Sequence, residues 1–200
     1  MDKAARKDSN GARKSVDFFR GFLRNPGQVG SVIPSSRFME RRIIEFSRLE
    51  RARVVVELGP GTGGTTRALL DAMPADGRLL AIDLEPRFTA IVESIGDPRL
   101  IAHTGSAADL PAILTEHGLA SPDAVISGIP FSTMPGELGT SILAAVRDSL
   151  AETGVFVAYQ FRSEVARLAL PVFGEPKRSA PVMLNIPPMR IWQWMRPGSH

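Results

Sequence analysis

Short, almost wholly apolar runs punctuate the chain from Arg53 onward: "RVVVEL", "GRLLAID", "RLIAHTG", "DAVISG" and "GVFVAYQF". Strands buried on both faces of a parallel sheet read this way, because neither side of the pleat meets water. Between them lie "GGTTRALLDAM", "PRFTAIVESI", "SAADLPAILTEHG" and "ELGTSILAAVRDSL", whose apolar positions recur three or four apart. That spacing predicts amphipathic helices, the second opened by Pro86 at its first turn. With a further helix over Ser163 to Leu170, the alternation gives five strand–helix repeats. It predicts an α/β fold with a Rossmann-like, doubly wound sheet. "PVMLNIPP" and "MRIWQWMR" then read as two closing strands, an antiparallel hairpin at the edge of an otherwise parallel sheet.

The leading segment has another pattern. Residues 1 to 13 are polar without an apolar period, and then Val16, Phe19 and Leu23 fall at i, i+3 and i+7, with Phe18 and Phe22 widening the stripe. Arg13, Lys14, Arg20 and Arg24 lie beside or opposite it, so an N-terminal amphipathic helix is expected, ending near Asn25-Pro26-Gly27. After the loop "NPGQVGSVIPSS", Ser35 or Ser36 is placed to cap a second helix running to about Arg51. The chain therefore divides into residues 1–52, a basic arm, helix and lid, and residues 53–200, the α/β domain.

Charge sharpens that division. Residues 1–53 carry 13 basic and 6 acidic side chains, which leaves 11 and 15 for the remainder, so a net +7 precedes a net −4. A basic front half points to an anionic partner, nucleic acid or a lipid surface, with a solvated tail as the alternative. Two hundred residues that are 44% hydrophobic can bury one substantial core. No apolar run reaches the roughly 18 residues of a membrane span, and the first fifteen residues lack a signal-peptide stretch, so a cytoplasmic protein is expected. With no cysteine, disulfides and thiolate chemistry are excluded, and the three histidines show no metal-ligand spacing, so no metal is expected.

In an open α/β sheet, ligands sit where the first strand turns into its helix. That stretch is "VVVELGPGTGGTTRALL", in which Gly59, Gly61 and Gly64 fit the dinucleotide pattern and Asp83 follows at the distance of a ribose-binding acid. Glu57, two residues ahead of the first glycine, favours a cationic ligand such as S-adenosylmethionine over a nicotinamide dinucleotide. "ELGPGTG" and "AIDLEP" resemble the first two motifs of the class I S-adenosylmethionine-dependent methyltransferases. The resemblance implies that Glu57, Leu58, Gly59, Gly61, Gly63 and Thr65 surround the methionine and ribose. It also implies that Asp83, beside Leu84, binds the ribose hydroxyls. "TGSAADL" puts Gly105, Ser106 and Ala107 at the adenine position, where this family commonly has an aspartate, with a hydroxyl or Asp109 as a substitute.

The acceptor side is expected at "SGIPFSTMP". It resembles the [DNS]-[IL]-P-[YF] motif of DNA and RNA amino-methyltransferases, in which a backbone carbonyl and a polar side chain accept protons from the amine. Here Ile129 and Pro130 match, Phe131 supplies the aromatic, and Gly128 stands at the polar position with Ser127 just before it, both also expected to border the cofactor. Taken in order, "FFRGFLRNPGQVGSVIPSSRFM", "ELGPGTGGTTRALL", "SGIPFSTMP", "YQF" and "NIPPMRIW" resemble the bacterial phospholipid N-methyltransferases, themselves similar to the ribosomal RNA adenine dimethylases. That resemblance implies a peripheral enzyme on the cytoplasmic face of a membrane, methylating phosphatidylethanolamine towards phosphatidylcholine. Lys14, Phe18, Phe19, Arg20, Phe22, Leu23 and Arg24 would then touch an anionic lipid surface. Ser31 would belong to a lid, and self-association on lipid is left open.

Tyr159, at the end of the fifth strand, is expected in the same cleft, hydrogen-bonded to the headgroup. Tyr159, Phe131 and Trp192 could hold a methylated cation through their ring faces, with one of Trp192 and Trp194 buried and the other at a rim. Arg162, Arg190 and Arg196 are the candidates for a lipid phosphate. Two readings compete: an RNA adenine dimethylase, which the glycine at 128 disfavours, and a non-catalytic lipid-binding module. No nucleic-acid partner is expected.

Overall fold

The computed structural model describes residues 36–185 and 188–198. The expected amphipathic helix, with Lys14, Phe18, Phe19, Arg20, Phe22, Leu23 and Arg24, and the lid residue Ser31 lie outside the described residues. Seven strands form one sheet: β1 Val54–Leu58, β2 Arg78–Asp83, β3 Leu100–Thr104, β4 Ala124–Ser127, β5 Val155–Gln160, β6 Arg178–Val182 and β7 Met189–Met195. Among the described residues, six helices accompany them: α1 Arg37–Ser47, α2 Gly64–Ala72, α3 Pro86–Glu93, α4 Leu110–Glu116, α5 Gly136–Ser149 and α6 Glu164–Phe173.

The strand order is β3-β2-β1-β4-β5-β7-β6. The first five strands are parallel, and β7 runs antiparallel to both β5 and β6. From β1 the chain moves outward to β2 and β3, then returns to lay β4 on the other side of β1. Strand order reverses there, and the carboxyl ends of β1 and β4 open a crevice that no crossover helix covers. Both central strands are buried along their whole length. Val54, Val55 and Val56 suit that position, since β-branched side chains pack well on a pleat closed on both faces.

Each face carries its own core. On one, Leu110, Ile113, Leu143, Val146, Val165 and Phe173 from α4, α5 and α6 meet Val56, Val125 and Phe156. Phe156 stacks between Phe173 and Trp194, each 5.4 Å away centroid to centroid. On the other, Met39, Ile43 and Phe46 of α1 and Leu69 and Leu70 of α2 cover Val55, Leu79, Ile126 and Val157. The leading segment as read from sequence thus contributes residues 37–52 to the domain core. Ile43 and Phe46 are essentially sealed from water, a burial contributing roughly 2 to 3 kcal/mol each. Ser36 caps α1, its hydroxyl accepting from the Met39 N–H at 3.3 Å.

Two expectations about the closing strands need correction. The first of them is Arg178–Val182, not the stretch beginning at Pro181, and residues 183–185 turn instead. "RSAPV" looks too polar for a strand, yet it is an edge strand in which Ala180 and Val182 face inward and Pro181 leaves no ladder donor unmet. The expected hairpin at the sheet edge stands. Trp192 and Trp194, two residues apart, point to the same face of β7 and are both buried, so neither forms a rim. Among the described residues, no helix is long and apolar enough to cross a membrane.

Candidate functional site

At the carboxyl end of β1 the chain turns through Gly59, Gly61 and Gly63, with φ of 74°, 54° and 79°. A side chain is strained in that left-handed region, so the turn stays bare and a ligand can approach it closely, while the Gly59 and Gly63 N–H groups are donated to the Ile82 and Pro60 carbonyls. A Cβ on Gly61 would meet nothing within 4 Å, which marks an open cradle. Beneath it lies Glu57, wholly buried, its Oε2 accepting from the Thr66 hydroxyl at 2.6 Å. Its Oε1 has no hydrogen-bond partner among the described residues. Burial pushes the Glu57 carboxyl up to about 7, the Asp83 charge adds to this, and the Thr66 hydrogen bond opposes it.

Asp83 ends β2, and its Oδ1 accepts from the Glu85 N–H at 3.0 Å. Burial raises its carboxyl above the ordinary range, while N–H groups from Glu85 and Gly61 pull the other way. An acid held by backbone donors at this spot is oriented for a diol. Glu40, which the sequence reading passed over, also reaches the turn: its Oε1 lies 3.9 Å from where a Gly64 Cβ would be. Ala107 is buried in the core, and the half-buried Leu84 packs against the same cluster. Leu58 and Ser127 are fully buried, so their backbones, not their side chains, border the crevice.

The expected adenine side has a physical reason for its glycine. A Cβ on Gly105 would come within 2.7 Å of His103 Nε2. The Ser106 hydroxyl is committed to a turn, accepting from Ala108 N–H at 3.2 Å, and Asp109 is exposed at the start of α4. The topology also joins residues that spacing kept apart. His103 Nδ1 and His117 Nε2 lie 3.0 Å apart, with a Glu116 carboxylate oxygen in the same cluster. The two rings hydrogen-bond to each other, tying the end of β3 to that of α4.

The loop after β4 packs directly on the glycine turn. A Cβ on Gly59 would lie 3.3 Å from Ile129 Cγ1, and one on Gly128 would lie 3.2 Å from the Gly59 carbonyl oxygen. The decisive neighbour is Tyr159, whose hydroxyl would sit 2.6 Å from a Gly128 Cβ and does sit 3.4 Å from the Thr65 hydroxyl. The phenol of Tyr159 therefore fills the volume that a polar side chain at 128 would take. Ile129 fares differently from expectation as well. Its carbonyl already accepts from the Phe131 N–H at 3.0 Å and from Gln160 Nε2 at 2.5 Å, so both lone pairs are engaged. Ser127 Oγ accepts from the Ile129 N–H, and the Pro130 carbonyl accepts from Thr133.

Phe131 is corrected from cleft wall to core residue: it is 1% exposed and packs against Gly139 of α5. Arg196 is corrected too. Because β7 is antiparallel, its end returns to the start of β5, where the Arg196 guanidinium donates to the Leu150 carbonyl at 2.6 Å. Arg190, paired in register with Gln160, and Arg162, just beyond β5, are exposed at the crevice end. Thr66, Gln160 and Glu40 are participants that sequence reasoning did not name. The hydroxyl at 66 could have been suspected from a buried acid needing a donor, whereas the other two depend on long-range packing.

No family model matches this sequence. It is 31% identical over 141 residues to the ornithine lipid N-methyltransferase of Singulisphaera acidiphila, a match covering 70% of this chain and 73% of that one. It is also 30% identical over 105 residues to ribosomal RNA small subunit methyltransferase A of Phenylobacterium zucineum, spanning 52% of this chain but only 33% of that protein. The fold superposes with a TM-score of 0.65 and 12% identity on N-methyltransferase NodS from Bradyrhizobium japonicum in complex with S-adenosyl-l-homocysteine, covering 81% of this chain and 89% of that one.

An open parallel sheet with an antiparallel edge hairpin, a bare glycine turn over a buried acid, and a second acid at the end of β2, together with the methyltransferase relatives, define a class I S-adenosylmethionine-dependent methyltransferase. Within that class, the chain belongs to the same family as the lipid N-methyltransferase of Singulisphaera acidiphila.

Proposed function

We propose that this chain is a peripheral membrane enzyme that methylates the primary amine of phosphatidylethanolamine and of its partly methylated derivatives. The observation that carries the reading is at Gly128. In the amino-methyltransferase motif, a polar side chain and a backbone carbonyl accept from an exocyclic base amine. Here position 128 has no side chain, the Ile129 carbonyl is engaged twice, and the Tyr159 hydroxyl occupies the vacated volume. A lone phenol oxygen suits a flexible alkyl amine better than the flat edge of an adenine.

The cofactor supplies a methyl group bonded to a sulfonium sulfur. The turn at Gly59 to Gly63 and the α2 N-terminus hold its methionine end, Asp83 holds the ribose, and the Glu57 carboxylate supplies the compensating negative charge. Tyr159 accepts from the amine and aims its lone pair at the methyl carbon. With S-adenosylmethionine bound, the amine would take the methyl carbon and the S–C electron pair would stay on sulfur. The ammonium gives its proton to water before attack, helped by the low dielectric of a crevice lined by buried residues. Arg162 and Arg190 face the headgroup phosphate at the crevice mouth. Lys14 to Arg24 form the leading anchor on the cytoplasmic leaflet.

The lipid relative supports an amine on a membrane lipid; its own name specifies ornithine lipid, which has an amine but no phosphodiester. RNA methylation is the second reading, favoured by the "GIPF" loop and the similarity to ribosomal RNA methyltransferases over about half of the chain. Incubation of the full chain with methyl-labelled S-adenosylmethionine and a mixture of phosphatidylethanolamine vesicles, ornithine lipid vesicles and 16S ribosomal RNA separates the three. Label in phosphatidylethanolamine is expected. Label confined to ornithine lipid would move the substrate to the phosphate-free lipid, and label confined to RNA would reject the lipid reading.

A further inference from the structure

Six large hydrophobic residues are exposed among the described residues: Phe38, Ile91, Phe161, Leu170, Met183 and Leu184. Ile91 and Leu170 stand singly on α3 and α6, as scattered apolar residues often do. The other four share one place. Phe161 follows the last residue of β5, and Met183 and Leu184 follow the last residue of β6. Because β6 and β5 both run antiparallel to β7, these two strand ends lie side by side, about 10 Å apart across β7. Phe38 joins them through α1, whose first residues are tied to the turn after β6: the Ser36 N–H donates to Asn185 Oδ1 at 3.2 Å. All four therefore crown the carboxyl edge of the sheet, on the β5–β7–β6 side of the crevice.

Exposure there is considerable: Phe161 is 62% exposed, Met183 68% and Leu184 64%. α1 turns Met39, Ile43 and Phe46 inward, which leaves Phe38 outward beside Arg37 and Arg41. Arg162 and Arg190 are exposed at the same rim. Of the nearby acids, Glu164 is paired with Arg167. Ser36, the first described residue, stands at this rim, and the 35 residues before it in the sequence carry seven basic and three acidic side chains. Apolar side chains ringed by arginines match a lipid surface, whose acyl region takes the first and whose phosphates take the second.

We propose that Phe38, Phe161, Met183 and Leu184 form a docking rim that inserts into an anionic phospholipid bilayer and holds the crevice mouth against the headgroups. This rests on the lipid-amine reading and extends it: the folded domain itself meets the membrane, face-on at the acceptor side, and the substrate amine need only rise from the leaflet to reach Tyr159. The rim is distinct from the leading helix, which would tether the domain without fixing its orientation.

The absence of native cysteine makes the test clean. Phe161→Cys and Leu184→Cys in the full chain, each labelled with an environment-sensitive dye, are compared with Ala120→Cys, exposed just before β4 at the opposite edge. With vesicles of phosphatidylethanolamine and phosphatidylglycerol, the dyes at 161 and 184 should shift to the blue and be quenched by lipid-borne nitroxides. The dye at 120 should stay unchanged. The triple variant Phe161→Ser, Met183→Ser, Leu184→Ser should keep its cofactor affinity and melting temperature but bind vesicles at least about tenfold more weakly. Vesicle-bound protein with silent dyes at 161 and 184 would overturn the rim, as would equal responses at all three positions, or a shift at the rim produced by RNA and not by vesicles. Dye insertion without methyl transfer to lipid would keep the rim and sink the substrate. Methyl transfer without insertion would do the reverse.

Discussion

The turn after β1 and the loop after β4 touch, backbone against backbone, yet they hold to their sequence patterns very differently. The first keeps every feature expected of it: three left-handed glycines, a buried acid below and a second acid at the end of β2. The second keeps the outline "GIPF" but has surrendered both acceptors, one to a missing side chain and one to internal hydrogen bonds. A methyl donor is the same molecule in every enzyme of the class, so the turn and two carboxylates proposed to hold it have little reason to vary. The acceptor differs from enzyme to enzyme, and here a phenol from the neighbouring strand has moved into the space.

The strongest way to break this contrast is at the turn. Asp83→Ala removes the acid proposed to accept from both ribose hydroxyls, and cofactor affinity by calorimetry should fall by at least about 100-fold. Unchanged affinity would displace the cofactor from the β1–β2 end. In the loop, Gly128→Asn reinstates the missing polar residue but drives it into Tyr159, and methyl transfer to lipid should drop by about 30-fold or more. Adding Tyr159→Ala relieves the clash, so the double variant should not lose more lipid activity than Gly128→Asn alone. Additive losses would mean that the two residues do not compete for one volume.

A smaller effect follows from Glu57. Its carboxyl is raised to about 7 in the folded chain, so between about pH 4.5 and 7 the native state holds a proton that the unfolded chain has released. Stability therefore falls as pH rises through that window, by roughly 3 kcal/mol at most. A cationic ligand favours the ionised form, so affinity for S-adenosylmethionine should rise by up to about tenfold from pH 6 to 8. Glu57→Gln should flatten that slope. A slope surviving in Glu57→Gln would assign the titration elsewhere. Smallest of all, Glu45→Ala removes exposed ion pairs to Arg42 and Arg178 and should change stability by no more than about 0.5 kcal/mol in chemical denaturation.

The strand–helix alternation, the glycine turn and both of its acids were legible because each is written locally, in a few consecutive residues. Tyr159 was also legible, since a residue at the end of β5 must border the crevice. What escaped depended on distant packing. Phe131 reads as an exposed aromatic until α5 is seen to offer it a glycine to pack against. Arg196 reads as a cleft residue until β7 is found to run backward, carrying it to the far edge. "RSAPV" hides an edge strand because only two of its five residues face the core. The pairing of His103 with His117 has no sequence signal at all, being made by one turn of topology.

The claim on which the rest turns is that the Tyr159 hydroxyl takes the place of the polar side chain absent at Gly128. Single-turnover transfer of a labelled methyl group to phosphatidylethanolamine, wild type against Tyr159→Phe with cofactor saturating, tests it most directly. Loss of at least about tenfold in rate, with cofactor affinity unchanged, is the expected result. Equal rates for the two proteins would contradict it.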